Sequence, residues 1–88
     1  MKHLNIRVVG SVQGVWFRDS CRKEADKLEI KGFARNDPDG TVYIEAEGHQ
    51  KSLNKLVEWC HRGSGQSQVR GVMRWYGELQ NFEDFNIG

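Results

Sequence analysis

The stretch Leu4-Asn5-Ile6-Arg7-Val8, followed through Gln13-Gly14-Val15-Trp16-Phe17-Arg18 to Leu28, decides the fold. Leu4, Ile6 and Val8 recur at a period of two, which predicts a strand with one buried face. From Phe17 the period lengthens. Phe17, Cys21, Ala25 and Leu28 fall on one face of a helix, with Arg22, Lys23, Glu24 and Lys27 outside it. A strand therefore hands over to a helix across a turn that contains Gly14. Such a turn leaves backbone N–H groups without intrachain partners, and Arg18 beside them adds a fixed positive charge. Its chemistry suits a phosphate.

Further along, Gly32-Phe33-Ala34-Arg35 and Thr41 to Glu47 read as two strands joined by Asn36-Asp37-Pro38-Asp39-Gly40. Proline presets φ and Gly40 supplies a permissive one, so a hairpin is expected. Leu53, Leu56, Val57 and Cys60 have the spacing of a second amphipathic helix, which Gly63 ends. Val69 to Tyr76 and Phe82 to Ile87 read as strands of poor alternation. The order is β-α-β-β-α-β with a short extra C-terminal strand. This predicts an α+β, ferredoxin-like α/β sandwich, with two helices on one face of a mostly antiparallel sheet.

With 88 residues the chain is expected to form a single domain, residues 1–88. At 38% hydrophobic and 28% charged residues, with a formal net charge of +1, it has neither the composition of a disordered chain nor the basic field of a nucleic-acid binder. No stretch has the apolar length of a membrane span, and Met1 to Asn5 lack the apolar core of a secretory signal. The expected location is the cytoplasm, without membrane or nucleic-acid partners, and the expected state is a monomer. Cys21 and Cys60 lack zinc or CxxC spacing and are expected to be reduced and structural. His3, His49 and His61 show no metal spacing and are expected at the surface; no metal or cofactor is expected.

Gly10-Ser11-Val12-Gln13-Gly14-Val15-Trp16-Phe17-Arg18 resembles the first signature of the acylphosphatases. Gly32-Phe33-Ala34-Arg35-Asn36, followed by Gly40, Val42 and Gly48, resembles their second. The resemblance implies an enzyme that hydrolyses the carboxyl-phosphate anhydride of a small acyl phosphate. It implies that Arg18 binds the phosphoryl group and that Asn36 orients the attacking water. The backbone N–H groups of Gln13, Gly14, Val15, Trp16 and Phe17 would cradle the phosphate oxygens, and inorganic phosphate or sulfate would bind as product-like ligands.

These roles agree with the chemistry. A carboxylate is a good leaving group, so positioning and charge stabilisation suffice without a strong general acid. A neutral amide such as that of Asn36 can hold a water but cannot take its proton at pH 7. The competing reading is a non-catalytic module of the same fold, either phosphate-sensing or RNA-binding. RNA binding calls for aromatic stacking residues on the open sheet face in an RRM-type motif and a basic surface, and neither is evident; Phe17, Phe33, Tyr43 and Phe85 are expected as core or sheet-face residues. A P-loop is excluded because Gly-Lys-Ser or Gly-Lys-Thr is missing.

Some positions depart from the family pattern. Trp16 stands where small residues are common; packing on the protein's own surface is the preferred reading, and bordering the acyl side of the pocket is the other. Glu29 stands where many members have glycine, so a positive φ there would cost stability. The loop Gly63-Ser64-Gly65-Gln66-Ser67 replaces a common glycine-proline and is expected to be more mobile. Cys21 and Cys60 lie on inward faces of neighbouring helices, which leaves a disulfide open. The chain end at Gly88 corresponds to one that in some members lies near the phosphate-binding arginine.

Overall fold

The protein is described by a computed structural model covering residues 1–88. The elements are β1 (Lys2–Ser11), α1 (Phe17–Lys27), β2 (Lys31–Asn36), β3 (Val42–Gly48), α2 (Gln50–Arg62), β4 (Gln68–Gly77) and β5 (Phe85–Ile87). The five strands form one sheet in the order β4-β1-β3-β2-β5. All neighbours are antiparallel except β2 and β5, which run parallel. The predicted sandwich is the observed one.

The period-two residues of β1 do what their spacing requires. Leu4, Ile6 and Val8 are buried and face Ala46, Ile44 and Val42 across the β1–β3 ladder. This face meets Phe17, Cys21 and Ala25 of α1 and Leu53, Leu56, Val57 and Cys60 of α2. Phe17 stacks at a tilt on Trp59, with ring centroids 5.0 Å apart, which ties the start of α1 to α2. Burying a side chain of this size contributes roughly 1.5–3 kcal/mol. Since Phe17 directly precedes Arg18, the core itself fixes where α1 begins.

Cys21 and Cys60 are buried, free thiols. The Cys60 thiol and the burial push the Cys21 pKa well above its ordinary value, so Cys21 stays a thiol. After α1 the chain turns through Glu29 at φ +57°, so the positive φ falls on a residue with a Cβ.

Two expectations need correction. Residues Phe82 to Asp84 are not part of the last strand, which begins at Phe85. The chain must cross there from the β4 edge of the sheet to the β5 edge, and the crossing is tied down by Glu47, whose carboxylate accepts the N–H groups of Gln80 at 2.5 Å and Phe82 at 3.2 Å. His3 is not at the surface: it is 4% exposed, with its imidazole 2.7 Å from Glu47 and 2.9 Å from the Asn5 amide oxygen. It lies on the face away from Leu4, as alternation requires, but Phe82 covers it, with ring centroids 6.0 Å apart. His49 and His61 are exposed as expected.

The helix-free face bears on the RNA-binding alternative. It carries Phe33, Tyr43 and Trp75, with Arg7 and Arg35 over the Tyr43 ring at 5.0 and 4.7 Å. Aromatic residues are therefore present there. The basic surface is not, because Arg7 and Arg35 are paired with Asp37 and the acidic Glu45 and Glu47 lie in the same ladders.

Candidate active site

Two left-handed residues shape the connection between β1 and α1: Gly14 at φ +72° and Trp16 at φ +64°. A turn with such residues points successive amides to one side. None of the N–H groups of Gln13 to Phe17 meets an acceptor in the chain, and α1 has no side-chain cap. The unpaired amides thus sit at the positive end of the helix dipole. Asp19, in the first turn, is paired with Arg22 at 2.7 Å and Lys23 at 3.4 Å.

Val12, Gly14, Trp16, Phe17, Arg18, Asp19, Asn36 and Ile87 line a cavity of about 310 Å³. Arg18 enters from the first turn of α1, and its Nη1 donates to the backbone oxygen of Gly88. Asn36 enters from the last position of β2 and is exposed. So the fold brings together two residues from motifs that are far apart in sequence. Gln13 and Val15 of the anticipated cradle do not line the cavity; their peptide groups belong to the turn that borders it.

The turn is held from two sides. Gln13 Nε2 donates to the backbone oxygens of Asp37 at 2.8 Å and Thr41 at 2.9 Å, both in the hairpin turn that follows Asn36. From the other side Ser64 Oγ donates to the Val15 oxygen at 2.9 Å. The hairpin turn is itself pinned: Arg7 reaches Asp37 at 2.9 Å and Thr41 Oγ1 at 2.7 Å, and Arg35 reaches Asp37 at 2.8 Å. The Arg35 and Arg7 guanidiniums hold the Asp37 carboxyl below the usual carboxylate range. Asp39 is also lowered, chiefly by the hydroxyl and N–H of Thr41.

Sequence reading had no signal for the side chains of Gln13 and Ser64 as fasteners, nor for Ile87 in the wall. Ile87 arrives there because β5 pairs in parallel with β2, Ala34 opposite Ile87. The expectation that Trp16 packs on the protein's own surface is overturned, since the residue is 74% exposed and is one of those that line the cavity. A left-handed residue at a helix start points its side chain away from the helix's packed face, and Phe17 takes the core position.

The fold and the site define a class: a small α+β sandwich in which an amide-lined turn and an arginine at a helix start face an asparagine on the neighbouring hairpin. The acylphosphatase family model matches residues 4–87. An acylphosphatase of Rubrobacter xylanophilus is 45% identical over 71 residues, covering 81% of this chain and 64% of that protein. One from Methylococcus capsulatus is 43% identical over 86 residues, covering 93% and 94%. A solved acylphosphatase structure from Bacillus subtilis superposes with a TM-score of 0.97 at 37% identity, over 100% of this chain and 99% of that one. The chain belongs to the acylphosphatase family, and it is an enzyme that hydrolyses acyl phosphates.

Proposed function

We propose that this hydrolysis takes place in the cavity between the Val12–Phe17 turn and the β2–β3 hairpin, with Arg18 and Asn36 as the catalytic residues. The observation that carries the reading is that Arg18, Asn36 and the turn residues Gly14, Trp16 and Phe17, whose amides have no partner in the chain, line one cavity. The N–H groups of Gln13, Gly14, Val15, Trp16 and Phe17 bind the phosphoryl oxygens. Arg18 adds a planar fork that bonds two oxygens at once and stays charged at any working pH. Charge on the transferring group is stabilised by donors already in place.

Asn36 holds a water in line with the bond to be broken. The water oxygen attacks phosphorus, and the bond between phosphorus and the acyl oxygen breaks, its electron pair leaving with the carboxylate. A water proton passes to a phosphate oxygen, giving a carboxylate and dihydrogen phosphate from the acyl phosphate dianion and water. Inorganic phosphate and sulfate are product-like occupants of the same cradle. Residues 1–88 act as one domain, as a monomer in the cytoplasm.

The test is hydrolysis of acetyl phosphate in EDTA by wild type beside Arg18→Lys, Arg18→Ala and Asn36→Ala. By analogy with losing an oxyanion donor, each change lowers turnover by roughly 10²–10³. Arg18 variants also lose affinity for inorganic phosphate, whereas Asn36→Ala keeps it. Wild-type kinetics in Arg18→Lys would remove Arg18 from its role. A parallel fall of phosphate affinity and kcat in Asn36→Ala would remove Asn36 from its own.

A further inference from the structure

We infer that Trp16 and Ile87 form an acyl-group wall that selects acyl phosphates with an aromatic acyl group; the inference rests on the reaction site proposed above. Trp16 is the residue whose presence the fold explains least. It is 74% exposed, so the core gains little from its ring. It occupies φ +64°, a conformation that disfavours any side chain and suits glycine. A glycine there would serve the turn better, so nothing inside the chain accounts for the indole.

The cavity says what that is. Its volume of about 310 Å³ is at the lower end of the range for organic ligands, roughly 300–1,000 Å³, and exceeds what a phosphoryl group fills. Arg18, Asn36, Gly14 and Asp19, the last paired with Arg22 and Lys23, supply its polar lining. Of the apolar lining, Val12 and Phe17 are buried in the core, whereas Trp16 and Ile87 present exposed surface. A substrate bound by its phosphoryl group therefore meets Trp16 and Ile87 with whatever the phosphoryl group carries. An indole face flanked by a branched aliphatic group favours a flat, apolar partner that can stack in an offset arrangement. An acetyl group leaves that surface wet.

The experiment compares kcat/KM for benzoyl phosphate and acetyl phosphate in wild type, Trp16→Gly, Trp16→Phe and Ile87→Ala. Glycine is used because it accepts the local φ. The ratio of the two values cancels any effect on the shared phosphoryl site. It falls about tenfold in Trp16→Gly, the size expected for one aromatic contact, and stays within about twofold of wild type in Trp16→Phe. Ile87→Ala lowers it in the same direction. If both substrates change by the same factor in Trp16→Gly, the wall is not selective and the inference fails while the reaction stands. If wild type hydrolyses neither substrate, the reaction assignment fails and the inference with it.

Discussion

Glu29 holds φ +57° immediately after α1, where a Cβ crowds the carbonyl oxygen that follows it. Its side chain is exposed and makes no hydrogen bond or ion pair that would repay the strain. Replacing it with glycine removes the crowding but gives the unfolded chain more freedom, so the gain is smaller than the strain. Glu29→Gly is expected to stabilise the protein by about 0.5–1 kcal/mol, read as a higher urea midpoint at unchanged slope. An unchanged or lower midpoint would mean that Glu29 has a contact the strain supports. Turnover is expected to stay at the wild-type value, because Glu29 lies at the opposite end of α1 from Arg18.

At the level of elements, the hairpin and the β1–α1 turn act as one body because Gln13 bonds two backbone oxygens across the gap. Each such bond contributes about 0.5–1.5 kcal/mol, but its larger effect is geometric, since small misplacement of a water-holding group slows the reaction. Gln13→Ala is expected to lower kcat about tenfold while phosphate affinity, which depends on amides local to the turn, changes by less than about threefold. Equal losses in both would show that Gln13 shapes the cradle and not the position of Asn36. The elements themselves were readable: the shift from period two to the helical period, the Pro-Gly hairpin and Gly63 placed β1, α1, β2, β3 and α2 close to where they lie. What stayed hidden depends on which strands are neighbours. The parallel seat of β5, the wall residue Ile87 and the cover that Phe82 lays over His3 all arise from chain crossings that no local pattern encodes. Arg18 and Asn36 stand out as candidates because each sits in a motif with its own turn chemistry; the fasteners Gln13 and Ser64 act through side chains whose partners are distant in sequence.

Across the whole molecule, His3 and Glu47 join β1, β3 and the crossing segment in one polar knot. Burial pulls the His3 pKa down, but the hydrogen bonds to Glu47 and Asn5 and the charges of Glu45 and Glu47 outweigh it and raise the pKa above 6.5. Burial pushes Glu47 up, and the Gln80 and Phe82 N–H groups with His3 bring it below 4.5. A raised histidine pKa stabilises fully below 6.5 and loses that contribution as pH rises through the folded value; a lowered carboxyl stabilises above 4.5 and loses its contribution as pH falls. The pair therefore contributes most between those limits. Relative to His3→Gln, wild type is expected to lose thermal stability from about pH 6 to pH 8, and a difference that does not vary with pH would remove His3 from this role. The strand order has a consequence of another kind, for the time the protein needs to form. Only β2 and β3 are neighbours both in the sheet and along the chain; β1 must find β3 and β4, and β2 must wait for β5. Loop-closure entropy is spent before these pairings return anything, which makes for slow folding. On a ribosome the amide turn and Arg18 are made early, yet Ile87, which lines that same cavity, and Gly88, which accepts from Arg18, are made after nearly everything they pack against. The proposed site is complete only once β5 docks.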